Sequence, residues 1–192
     1  MDIIKIGKLI EPIDFLKYIT VIEKLETVVH KYGTEFQVPD YPCWMKYENE
    51  GDIQGSISFT RHTCKHPELK EMVDTIYDKL ATIFPKNMSP IKERIHIIKT
   101  EGDIVAHKDE AGRNTCINIG LQNSSGAITK MSNDGLLKNF YNNHTDYVIE
   151  EGYAYLVNVN QYHAVHSISD GPRYLITYGF AERFDDLKNA IP

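Results

Sequence analysis

A chain of 192 residues with 42% hydrophobic letters carries enough apolar side chains for one full core and too few for two generous ones. With 21 Lys+Arg against 27 Asp+Glu, a net charge of -6, no long Coulombic contact with nucleic-acid phosphates or an anionic membrane surface is expected. No apolar run approaches the roughly 18 residues of a membrane span, and residues 1–8 carry charges where a signal region would be apolar, so a soluble, cytoplasmic protein is expected.

In chain order, the first expected element is a helix between Pro12 and the stop signal Gly33, because Phe15, Ile19, Ile22, Leu25 and Val29 recur at three- and four-residue steps. Residues 44–59 suit a loop followed by a short strand, with alternation at Ile53, Ser56, Ile57 and Phe59. A second helix opens at Pro67 and ends at Pro85, with Leu69, Met72, Val73, Ile76, Leu80 and Ile83 as its apolar stripe. From about Arg94 the pattern changes to short β-branched and aromatic runs separated by turn letters: 94–99, 104–107, 115–121, 127–131, 147–149, 153–159, 163–168 and 174–180. Eight strands after two helices predict a mainly β protein with some α, a jelly roll braced by N-terminal helices. One domain covers 1–192, with 1–92 as helical support and substrate entrance and 93–181 as the jelly-roll core. The three cysteines, Cys43, Cys64 and Cys116, are odd in number and widely spaced, which argues against a disulfide framework or a thiolate zinc site.

The chemistry concentrates in His107-Lys108-Asp109. In an extended segment residues two apart point to one side, so an imidazole and a carboxylate converge. Alone, such a pair is commonly a surface hydrogen bond. More than fifty residues on, however, comes Tyr162-His163-Ala164-Val165-His166, then the turn Ser169-Asp170-Gly171-Pro172 and Arg173. Two imidazoles and one carboxylate on one face of an octahedral metal leave three open positions, which suits non-haem iron(II) binding a co-substrate and dioxygen together. Arg173 is an always-charged fork of the kind that the far carboxylate of a dicarboxylic keto acid requires.

These residues resemble the iron(II)- and 2-oxoglutarate-dependent dioxygenases, whose core is a double-stranded β-helix. The resemblance covers roughly 94–180, about half the chain, and is nearest to the aspartyl/asparaginyl β-hydroxylase group. In that group a Gly-Leu pair follows the first metal histidine by thirteen and fourteen residues, as Gly120-Leu121 follows His107 here. The group also places its carboxylate-binding Arg ten residues after the distal histidine, and ten before Arg173 is His163. The resemblance implies His107, Asp109 and His163 as metal ligands and Arg173 as the 2-oxoglutarate anchor. His163 and His166 face opposite sides of one strand. A three-residue turn at 169–171 would put Arg173 on the face of His163, and a two-residue turn would align it with His166. Two further co-substrate contacts are implied by position: Asn118, where the group has His, and His96, where it has Ser. Cys116 departs from the group, which has Arg there. Asp109 departs in the other direction, because the group often lacks the metal carboxylate and the prolyl hydroxylases have it.

The implied cofactors are Fe(II), 2-oxoglutarate and dioxygen, and the implied reaction is hydroxylation of a C–H bond with release of succinate and carbon dioxide. An Asp or Asn side chain in a peptide leads as substrate, followed by a peptidyl proline and then a small molecule. Arg113, in a polar turn six residues past His107, is expected either to meet a substrate carboxylate or to be a solvated loop charge. Trp44, Arg61 and His62 could line an entrance, and the 132–146 insertion is long enough for a lid. With few residues after the last strand, no large C-terminal dimerisation helix is expected, and the chain should be a monomer or weak dimer. Two other classes stay open: a cupin-like metal enzyme that ignores 2-oxoglutarate, with Arg173 structural, and a non-catalytic jelly-roll binding module.

Overall fold

A computed structural model describes residues 2–11, 15–22, 27–31, 43–49, 52–59, 67–91, 95–100, 103–109 and 113–192, with the backbone alone at 27–31, 43–49, 52–59, His96, Lys99, Thr100 and Val105. The elements run β1 (Ile3–Lys8), α1 (Phe15–Ile22), β2 (Thr27–Lys31), β3 (Cys43–Asn49), β4 (Asp52–Phe59), α2 (Pro67–Ile83), β5 (Ile95–Thr100), β6 (Ile104–His107) and β7 (Thr115–Gly120). They continue with β8 (Ala127–Ser132), β9 (His144–Val148), β10 (Tyr153–Val157), β11 (His163–Ser167), β12 (Arg173–Phe180) and α3 (Phe184–Ala190). The fold is mainly β. An eight-stranded sheet has the order β1-β10-β7-β12-β5-β4-β3-β2, and a four-stranded sheet the order β6-β11-β8-β9. Every pairing is antiparallel except β2 with β3. Among the described residues no helix is long and apolar enough to cross a membrane.

Each of the eight expected strands from 94 onward has its counterpart in β5 to β12, and α2 carries the expected stripe. The N-terminal third differs. Helix α1 stops at Ile22, and Val29 belongs to β2, where the β-branched run Thr27-Val28-Val29 favours an extended chain and pairs Thr27 to Lys31 with Trp44 to Glu48. Residues 43–49 are a strand rather than a loop, paired with β4 from Cys43↔Ser58 to Asn49↔Asp52. The segment expected as helical support thus adds three strands beyond β5 and a fourth, β1, at the opposite edge against β10. At that edge the Leu9 N–H donates to the carbonyl of Gly152. Gly152 has φ +81°, and a Cβ there would strike the Ile10 carbonyl, so glycine is required.

The large sheet separates a structural face from a chemical one. On its outer face Ile95, Ile97, Ile117, Ile119, Ile176 and Tyr178 form one buried cluster with Phe15, Ile19 and Ile22 of α1, the stripe of α2, and Phe184 and Leu187 of α3. Each such apolar side chain contributes about 1.5–3 kcal/mol by burial. The Tyr178 hydroxyl donates to the Val73 carbonyl at 3.1 Å, tying sheet to helix. On β12 the alternate residues Arg173, Leu175 and Thr177 therefore point the other way, toward the small sheet. Cys116, Met131, Tyr155, Val157 and Val159 form a second buried cluster on that inner side.

The strands β11 and β12 lie in different sheets, which removes the premise that Arg173 pairs with β11 across a hairpin. Its partner is Thr100 of β5. Arg173 and His163 share the interior because both sheets turn a face to it.

Candidate metal centre

His107 closes β6, Asp109 follows two residues later, and His163 opens β11, directly opposite His107 in register. On its other side His163 is opposite Met131 of the interior cluster, so its ring points between the sheets. The Asp109 backbone N–H donates to the Val159 carbonyl at 3.0 Å, bringing the carboxylate to the same spot. Asp109 Oδ1 lies 3.7 Å from His107 Nε2 and 3.9 Å from His163 Nε2. One ligand atom from each of the three residues lies within 4.8 Å of the other two. Ligands cis to one another around a single ion at about 2.1 Å are about 3 Å apart, so each imidazole need close on Asp109 by less than about 1 Å.

The ring of His163 is already set for coordination. Its Nδ1 is 3.0 Å from the Gln161 carbonyl, which can only accept, so Nδ1 carries the proton and Nε2 presents its lone pair. Burial, helped by the charge of neighbouring His107, pulls the His163 pKa down to about 4, which leaves it a neutral ligand at pH 7. His166 is different: its side chain is 53% exposed, Nδ1 lies 3.0 Å from Asp103 Oδ2, and the Ser167 N–H donates to Asp103 Oδ1 at 2.8 Å. It faces away from the interior.

Arg173 meets the same interior from the large sheet, opposite β6 and β11, and is 4% exposed. Its Nε and Nη1 have no hydrogen-bond partner among the described residues. Burial lowers its pKa to about 10, so it is charged at neutral pH. An unpaired buried charge costs several kcal/mol, and a carboxylate is the group that offsets it. Thr177 lies between Asn118 and His96 in register, forming one row across β7, β12 and β5. Cys116 donates its thiol to Asn118 Oδ1 at 3.3 Å, which leaves the amide N–H donors of Asn118 for another acceptor. Burial pushes the Cys116 pKa up to about 11, so the thiol stays protonated. The His96 side chain lies outside the described ones.

Arg113 is neither open nor solvated: Nη2 is 2.7 Å from Asp109 Oδ2, and its side chain is 16% exposed. Arg61 and His62 lie outside the described residues, and of Trp44 only the backbone in β3 is described. The insertion expected as a lid is a folded segment containing a 3-10 turn, Leu137–Asn142, held by buried Phe140. Asp134 organises it, accepting from Asn139 at 2.8 Å, Leu136 N–H at 2.9 Å and Asn143 at 3.0 Å, which lowers its pKa to about 2. His144 is taken up there as well, with Nδ1 2.8 Å from the Phe140 carbonyl. The sequence reading missed the Gln161 carbonyl and the Arg113 pairing. A backbone carbonyl leaves no signal in residue letters, and the i, i+4 spacing of Asp109 and Arg113 suggests a pair only once both are known to face inward.

No protein-family model matches the chain, and no curated protein matches it in sequence. Solved structures do match. The non-heme alpha-ketoglutarate-dependent epimerase SnoN of nogalamycin biosynthesis aligns over 93% of this chain and 77% of its own at 8% identity, with a TM-score of 0.58. HygX from Streptomyces hygroscopicus, solved with nickel and 2-oxoglutarate bound, aligns over 93% of this chain and 82% of its own at 10% identity, with a TM-score of 0.56. A prolyl-4-hydroxylase from Pseudomonas putida covers 95% of this chain and 93% of its own at 10% identity and a TM-score of 0.50. The chain has their fold. At such identities the likeness concerns the arrangement of strands alone.

Proposed function

We propose that this chain is an iron(II)- and 2-oxoglutarate-dependent dioxygenase that hydroxylates a C–H bond. The observation that carries the reading is the buried guanidinium of Arg173, whose Nε and Nη1 find no hydrogen-bond partner among the described residues, facing the interior that the His107–Asp109–His163 cluster lines from the other sheet. A metal enzyme without a dicarboxylate co-substrate has no use for that charge, and a binding module has no use for either feature. The division of β5 to β12 into β5, β7, β10 and β12 of the large sheet and β6, β8, β9 and β11 of the small one supports a double-stranded β-helix core.

His107, Asp109 and His163 would hold the metal through Nε2, Oδ1 and Nε2. Arg173 would hold the far carboxylate of 2-oxoglutarate, and the amide N–H of Asn118 would donate to its other end. His96, level with Asn118 and Thr177, is the weaker candidate contact. Iron(II) with 2-oxoglutarate and dioxygen supplies the C–H oxidation, consuming 2-oxoglutarate to succinate and carbon dioxide. The protein's own work is to orient these groups and to keep the far carboxylate away from water.

For the substrate, the Gly120-Leu121 pair and the ten-residue step from His163 to Arg173 support the resemblance to the aspartyl/asparaginyl β-hydroxylases, and with it a peptide Asp or Asn side chain. A peptidyl proline is the neighbouring possibility, in keeping with the prolyl-4-hydroxylase likeness. A small molecule is the second reading, favoured by the likeness to SnoN and to HygX, which was also solved with hygromycin B. The class is tested without knowing the substrate. Purified protein with ferrous iron, ascorbate and air should convert 2-oxoglutarate slowly to succinate. Metal binding with no succinate formed and no 2-oxoglutarate bound would favour the cupin-like alternative.

A further inference from the structure

The carboxylate of Asp109 is divided between two tasks. Oδ1 faces the imidazole Nε2 atoms of His107 and His163, while Oδ2 lies 2.7 Å from Arg113 Nη2 in an ion pair and, among the described residues, accepts no hydrogen bond, so the guanidinium charge is its one close partner there. Both members of the ion pair are largely shielded, with side chains 16% and 18% exposed. The chain beside Arg113 is anchored. The Asn114 N–H donates to the Phe180 carbonyl at 3.0 Å, and the Asn160 amide donates to Asn114 Oδ1 at 3.0 Å.

A carboxylate can coordinate through one oxygen or through both. In an octahedron that already holds two imidazoles, the first mode leaves three positions open and the second leaves two. A chelating keto acid takes two, so a third is free for dioxygen only in the first mode. Resting on the iron and 2-oxoglutarate reading, we propose that Arg113 is a positioning residue: it holds Asp109 Oδ2, so that only Oδ1 reaches the metal and three positions stay open. Its guanidinium, already engaged, is not the contact for a substrate carboxylate.

The test counts water on Mn2+, standing in for iron, from the broadening of its paramagnetic resonance in oxygen-17 water. The wild-type protein should carry three waters, and 2-oxoglutarate should displace two. Arg113→Gln should carry two and retain none once 2-oxoglutarate binds, whereas Arg113→Lys, which keeps a cationic donor, should return to three. If Arg113→Gln does not fold, Arg113→Met provides the same count. Three waters in a folded variant without the cation, one of them surviving 2-oxoglutarate as in the wild type, overturns the role of Arg113 and leaves the parent reading intact. A wild type that binds no Mn2+, or whose bound waters ignore 2-oxoglutarate, overturns both.

Discussion

His163→Ala should lower Mn2+ affinity by more than about 100-fold, beyond the 10–100-fold typical of losing a residue that merely orients a ligand. The fold should survive, since the ring contributes a lone pair to the interior and is not part of the apolar packing behind the sheet. His166→Ala is the matched comparison from the same strand. Its imidazole is spent on Asp103 at the surface, so Mn2+ affinity should be unchanged within about twofold. Equilibrium titration of Mn2+ by paramagnetic resonance measures both. Equal losses in the two variants would mean that β11 is inverted with respect to the interior. No loss in His163→Ala would remove it as a ligand.

Arg173→Met should produce two opposite effects. With the guanidinium gone, 2-oxoglutarate loses a desolvated, charge-assisted pair worth about 2–4 kcal/mol, so its dissociation constant on the Mn2+-loaded protein should rise roughly 30- to 1000-fold. In the ligand-free protein the same change removes a buried charge whose Nε and Nη1 have no hydrogen-bond partner among the described residues, and replaces it with an apolar chain. Stability should then rise by about 1–3 kcal/mol, read as a higher unfolding midpoint in urea. A residue kept for packing would show a fall in stability and little change in binding. Mn2+ affinity should stay near wild type, because Arg173 is not part of the metal cluster.

How far the letters disclosed this arrangement depends on the range over which each feature acts. The strands of the C-terminal half are short, bounded by turn residues and rich in β-branched letters, all of which are local signals, and they were legible. The α2 stripe was legible for the same reason. The β1 strand was not: Ile3, Ile4 and Ile6 acquire their meaning from β10, about 150 residues away. Val29 fits a four-residue step from Leu25 as well as it fits a strand, and only its pairing with β3 decides the matter.

The site shows the same division. The His107–Asp109 pair is local, and a distal histidine with a following Arg is a spacing, so the three clustered residues could be named from the sequence. The route from spacing to geometry was wrong, however, because the chain crosses from one sheet to the other between β11 and β12 instead of turning back within one. His163 and Arg173 meet the same interior from opposite walls. That Arg113 would engage Asp109 depended on where the chain before β7 approaches the cluster. No pattern of letters gives that distance.

The measurement that bears most directly on the central claim is a thermal unfolding titration of the wild-type protein with Mn2+ and 2-oxoglutarate. The midpoint should rise with Mn2+, rise further when 2-oxoglutarate is added, and respond little to 2-oxoglutarate alone. The last follows because the co-substrate needs both the metal and Arg173 to bind tightly; each bound ligand stabilises the folded state by mass action, about 2.7 kcal/mol at 100 times its dissociation constant. A midpoint that rises with Mn2+ and is then indifferent to 2-oxoglutarate, or that responds to neither, would contradict that claim.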